Sequence, residues 1–130
     1  MDSTEQMYAA MPFTQVLGAT AVRADRDEVR LRLEWTPERC TSGGLLHGGA
    51  TLALADAAGG WAGFLNLPEG SSGTATTSSS THFLRPVTGG AVEASARVLH
   101  AGRTAIVVVV DVTDDRGRLT ARVTQSQAVL

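Results

Sequence analysis

The most informative pattern along the chain is a change of hydrophobic period. Val29, Leu31, Leu33 and Trp35 alternate with Arg30, Arg32 and Glu34, which predicts a strand with one buried and one wet face. From Leu45 to Phe64 the alternation gives way to a run of Leu, Ala and Gly, and between Arg39 and Glu69 the only formally charged residue is Asp56. A run that is apolar nearly all round predicts a helix wrapped by other structure, from about His47 to Leu65. Its small residues Ala50, Ala53, Ala57 and Gly60 would let a sheet approach the helix backbone closely.

After this run the pattern is almost all strand. Thr74 to Arg85 is β-branched and hydroxyl-rich and is closed by Pro86 and Gly89-Gly90. Ala91 to His100 alternates again, and Ala101-Gly102 marks a hairpin. Ile106 to Val110 is a continuous apolar run, which predicts a strand buried on both faces. Asp114-Asp115-Arg116-Gly117 then turns the chain into a last strand from Leu119 to about Val129.

Ahead of the first strong strand, Ser3 and Gln6 have capping-box spacing, predicting a helix from about Thr4 to Met11 that Pro12 ends. Phe13, Val16 and Leu17 predict a small apolar lid, Ala19 to Ala24 a weak strand, and Thr36 to Gly44 a loop. Strands with one segregated helix indicate an α+β domain spanning residues 1–130, a curved antiparallel sheet around a central helix.

Composition narrows the chemistry. Every one of the 11 Lys and Arg residues is arginine, which excludes a P-loop lysine and a Schiff-base lysine. A net charge of −2 gives no footprint for nucleic acid or an acidic membrane surface. Cys40 is the only cysteine, and His47, His82 and His100 have no paired spacing, so neither a disulfide nor a metal site is expected. The Leu45–Phe64 run is about long enough to span a bilayer, but it contains His47 and Asp56 and lacks a basic flank. With an acidic, polar N-terminus that resembles no signal or transit peptide, a cytoplasmic protein is expected.

Two readings of Asp56 follow. A carboxylate inside an apolar helix is either a hydrogen-bonded structural group or one that performs chemistry. Gly48, at the predicted helix start, has an N–H without an intrahelical partner and no Cβ to hold a ligand away. That suits an oxyanion, and equally a tight turn into the helix. His47 could contact a ligand or fix the loop, and Cys40 could be a nucleophile paired with His47 or a small loop residue.

The element order, with His47-Gly48-Gly49, Leu54-Ala55-Asp56-Ala57-Ala58-Gly59 and Phe83-Leu84-Arg85-Pro86-Val87, resembles the hotdog-fold acyl-CoA thioesterases of the phenylacetate-pathway (PaaI) type, relatives of the 4-hydroxybenzoyl-CoA thioesterases. The resemblance covers nearly the whole chain. It implies a sheet wrapped around the helix and dimers, often paired into tetramers, that bind acyl-CoA between subunits. It places the family's general base or nucleophile on Asp56 and the glycine whose N–H holds the thioester oxygen on Gly48. Six residues before the histidine the family usually has Asn or Gln, where this chain has Thr41, whose hydroxyl is shorter. A family Ser or Thr that contacts the lytic water would fall on Thr76 or Thr77. Coenzyme A, part of the substrate rather than a cofactor, carries phosphates, for which Arg85 and Arg103 are candidates. Trp61 and Phe64 are expected in the core rather than in an acyl pocket.

The expected function is hydrolysis of an aryl- or medium-chain acyl-CoA to free acid and coenzyme A. The alternatives are a non-catalytic ligand binder on the same fold, which Thr41 favours, and a dehydratase or hydratase, which would need His47 or His82 beside a carboxylate.

Overall fold

The computed structural model describes residues 1–130. In chain order the elements are α1 (Ser3–Ala10), α2 (Phe13–Leu17), β1 (Thr20–Ala24), β2 (Val29–Glu34), α3 (Gly48–Leu65), β3 (Thr74–Phe83), β4 (Ala91–Ala101), β5 (Ala105–Asp114) and β6 (Leu119–Val129). The six strands form one antiparallel sheet in the order β1-β2-β4-β5-β6-β3, with α3 lying across it. This is the expected α+β arrangement. No helix is long and apolar enough to cross a membrane.

Period-2 patterning sets which strand residues meet α3. Leu31 and Leu33 of β2, Ala94 and Ala96 of β4, and Ile106, Val108, Val110 and Val112 of β5 are sealed from solvent against Leu54, Ala55 and Ala58 of α3. Leu54 has no exposed surface; its truncation to Ala would cost about 2–5 kcal/mol.

Four expectations need correction. The N-cap of α1 is Asp2, whose Oδ1 accepts the Glu5 N–H at 2.8 Å; Ser3 is already helical. The apolar segment after Pro12 is a short helix, and its Phe13 and Val16 stand largely in solvent rather than closing over the core. In β5 only the even-numbered residues are buried; Val107 and Val109 are half-exposed on the outer face. Their β-branched side chains on both faces mimic a doubly buried strand in sequence, but α3 covers one face only.

The fourth correction concerns α3 itself. The sheet covers one side, where Thr51, Leu54, Ala55, Ala58, Gly59, Ala62 and Gly63 are buried. Leu52, Asp56 and Phe64, at four- and eight-residue steps, form an exposed stripe on the other side. The helix is therefore apolar all round but wrapped on only one face within a single chain. Trp61 is half-buried against the core as expected, whereas Phe64 is 56% exposed.

Candidate active site

The loop before α3 is stapled in place, and this fixes where the helix begins. Trp35 Nε1 donates to Gly44 O at 2.9 Å, and Arg39 donates to Leu17 O and Glu34 O at 2.9 and 3.0 Å. The backbone N–H of His47 donates to Arg39 O at 2.8 Å, and that of Leu46 to Val87 O at 2.9 Å.

His47 is the N-cap of α3. Its Nδ1 accepts the Gly49 N–H at 2.8 Å, while its carbonyl accepts from Ala50 and Thr51 at 2.9 and 3.2 Å. Three of the four N–H groups at the helix start are thus consumed, and the Gly48 N–H has no acceptor in the chain. It lies at the positive end of the helix dipole. Gly48 lines a cavity of about 380 Å³ with Thr41, Thr51, Phe83, Leu84 and Arg85. The Phe83 ring is close enough that a Cβ on Gly48 would come within 3.1 Å of its Cζ.

Asp56 is absent from that cavity. It lies on the exposed face of α3, where its Oδ1 accepts Gln125 Nε2 at 2.8 Å and Thr76 Oγ1 at 3.5 Å. Both contacts fall on Oδ1, which leaves Oδ2 open. The expectation of a buried carboxylate is therefore corrected for the single chain. The buried acid is Glu28, which sits among Arg23, Arg30 and Arg97.

The remaining candidates divide clearly. Thr76 stands beside Asp56, whereas the neighbouring Thr77 donates to Ser126 O at 3.1 Å. A bulge between Thr76 and Ser78 separates the two threonines, a feature that no period count could reveal. Thr41 and Arg85 are with Gly48. Arg103 lies in the β4–β5 turn, at the opposite end of the sheet from Arg85, because the β5–β6 ladder separates Ala105 from Ala121. The Cys40 thiol donates to Thr36 O at 3.3 Å while His47 Nδ1 serves the helix, so the two are not coupled as nucleophile and base. His82 is exposed on β3 opposite Arg122, and neither it nor His47 bonds to Asp56.

Gln125 was not anticipated. The available signal was that Ala121 and Val123 begin a buried period-2 face on β6, which Gln125 and Gln127 continue with long polar side chains. Polar residues at core positions need partners, and here the partners include the candidate carboxylate.

The Thioesterase superfamily pattern matches residues 43–121, more than half the chain, including Gly48, Asp56, Thr76 and Arg85. The chain belongs to the Thioesterase superfamily. A proofreading thioesterase, EntH, from Klebsiella pneumoniae is 44% identical over 75 residues, covering 58% of this chain and 54% of that protein. The chain thus spans about half the length of that relative.

Solved structures extend the likeness to the whole fold. A thioesterase from Haemophilus influenzae superposes with a TM-score of 0.90 at 25% identity, covering 100% of this chain and 92% of that one. A point mutant of the phenylacetic acid degradation protein PaaI from Thermus thermophilus gives 0.83 at 28% identity, covering 92% and 99%. The fold is the hotdog fold, and thioester hydrolysis is the activity characteristic of this superfamily.

Proposed function

We propose that this protein hydrolyses aryl- or medium-chain acyl-CoA thioesters to free acid and coenzyme A, at sites shared between two subunits. The observation that carries the reading is the pairing, on one helix, of an unused N–H at Gly48 with a carboxylate at Asp56 that has one free oxygen.

The thioester oxygen gains negative charge as the carbonyl carbon is attacked, and the Gly48 N–H is the donor that would stabilise it. Asp56 Oδ2 either takes the proton of the attacking water or attacks the carbon itself. Thr76, on the same carboxylate, is the hydroxyl placed to orient the water. Arg85, beside Gly48, is the arginine placed to meet a coenzyme A phosphate. Room for the acyl group exists one helical turn beyond Asp56, where Met7, Met11, Gly60, Trp61, Phe64 and Thr74 line a cavity of about 480 Å³.

Helix geometry supports the shared site. Gly48 and Asp56 are eight residues apart on the continuous α3, so they are separated by about 12 Å along the axis and about 80° around it. One thioester cannot touch both groups of one chain. A two-fold related copy, seated on the apolar stripe of α3 and the free edge of β3, would bring its own Asp56 to the first chain's Gly48. Such a dimer would also cover Leu52 and Phe64, and two of them could pair into a tetramer.

Thioester cleavage measured over a panel of acyl-CoAs tests the reading, with Asp56→Asn as control. Turnover of an aryl- or medium-chain substrate that disappears in the control is expected. Thermal stabilisation by acyl-CoA without any turnover would instead establish a binding protein, the alternative that Thr41 favours.

A further inference from the structure

Gln125 and Gln127 stand two residues apart on the helix-facing side of β6, each only 1% exposed. Space for them comes from α3. A Cβ on Gly59 would collide with Gln125 Oε1, and one on Gly63 with Gln127 Oε1. Two glycines one turn apart thus let two amides enter a layer that is mostly hydrocarbon.

The hydrogen bonds of this pair run in one direction. Gln127 Nε2 donates to the backbone carbonyl of Gly59 at 2.8 Å, and also approaches Gln125 Oε1 at 3.4 Å. Gln125 Nε2 donates to Asp56 Oδ1 at 2.8 Å. A backbone carbonyl can only accept, so Gly59 fixes which end of the Gln127 amide carries the NH₂ group. That NH₂ group in turn takes the oxygen end of Gln125, which leaves the Gln125 NH₂ group facing the carboxylate. Gln127 Oε1, although buried, has no partner in the chain. A pair retained only for packing would be served as well by hydrocarbon, without an unpaired carbonyl.

We propose that Gln125 and Gln127 are positioning residues for Asp56. Gln125 pins Oδ1 and so directs Oδ2 toward the reacting atoms, and Gln127 locks the Gln125 amide in the donating orientation. This rests on the reading of Asp56 as the group that drives thioester hydrolysis. Besides Gln125, the only side chain that bonds to Asp56 is that of Thr76, and no charged side chain is paired with it.

Gln125→Met and Gln127→Met, which keep most of the volume without a strong donor, provide the test. Gln125→Met is expected to lower kcat at least tenfold with little change in KM. It should also move the acid limb of kcat/KM to higher pH, because the charged carboxylate has lost a donor. Gln127→Met should shift both quantities the same way by less. A lowered Tm with kcat and the acid limb unmoved would reduce the pair to a packing feature and overturn the proposal.

A measurement on the unmodified protein reads the same coupling should either variant fail to fold. The side-chain NH₂ signals of Gln125 in a ¹⁵N NMR titration should move with the midpoint of the acid limb, and should stay still in Asp56→Asn. Signals that never titrate in the wild type would overturn the proposal. The two readings also fail separately: activity that survives Asp56→Asn removes the catalytic reading. Loss of activity in Asp56→Asn with an unmoved acid limb in Gln125→Met removes the positioning role alone.

Discussion

Two carboxylates in this molecule are held in opposite ways. Glu28, ahead of β2, is sealed from solvent, with Arg30 Nη2 at 2.6 Å and Arg23 Nη1 at 3.4 Å from its two oxygens and Arg97 alongside. Asp56, on the open face of α3, has no cation at all and is held through one oxygen by an amide and a hydroxyl. A carboxylate ringed by guanidinium groups is committed to ion pairs. One anchored through neutral donors keeps its second oxygen for chemistry. On the proposed reading, the kind of partner, rather than burial, separates the structural acid from the candidate catalytic one.

The largest expected effect comes from removing the proposed catalytic acid. Asp56→Asn should lower kcat/KM by about 10²–10⁴-fold, the usual worth of a general base. Stability should barely change, since the amide oxygen can still accept from Gln125. Near-normal turnover would place Asp56 with Glu28 among the structural acids. Next, Gly48→Pro removes the free N–H at a helix position that tolerates proline, and should cost about 10²–10³-fold in kcat. Gly48→Ala keeps the N–H and should cost far less, because only the Phe83 ring has to give way. Equal losses in the two variants would point to crowding at Phe83 instead of an oxyanion donor.

The converse experiment acts on Glu28. Glu28→Gln should destabilise the fold by about 1–3 kcal/mol in denaturant, less than breaking a fully buried pair, because the arginines can turn to solvent. Its turnover per folded molecule should match the wild type. A catalytic loss exceeding the loss of folded protein would erase the distinction between the two acids.

The smallest effect separates acid unfolding from acid inactivation. The Asp25 carboxyl is held below the ordinary carboxylate range by the Arg23 side chain first and by the Glu28 N–H next. Its lowered value means that its contribution to stability is present above about pH 4, the unfolded value, and is lost as pH falls through the folded value. Asp25→Asn should therefore lower Tm slightly at pH 7 and have progressively less effect in acid. The pH profile of activity should not move.

The sequence made much of this fold legible because period carries burial. The alternation in β2 and β4, the hairpin at Gly102 and the apolar run of α3 all lie where their patterns place them. The open face of α3 was not legible, since Leu52 and Phe64 read the same whether a sheet of their own chain or a partner is to cover them. At the candidate site, Asp56 stood out by the isolation of its charge, whereas Gly48 read equally as a turn glycine until the family resemblance singled it out. The choice between Thr76 and Thr77 was not legible, because it depends on a bulge. The Gln125–Gln127 pair was written in β6 as two polar residues on a buried face, but its meaning requires the glycines of α3 opposite.

If each site takes Gly48 from one subunit and Asp56 from another, two inactive variants should restore each other when mixed. Asp56→Asn and Gly48→Pro chains, unfolded together in equal amounts and refolded, should form mixed dimers in about half of the population. Each mixed dimer contains one site with both wild-type groups and one with neither, so about a quarter of wild-type activity should return. A mixture that dimerises yet stays as inactive as its parents would rule out the shared site, placing the chemistry within one chain and leaving the thioester oxygen to some donor other than Gly48.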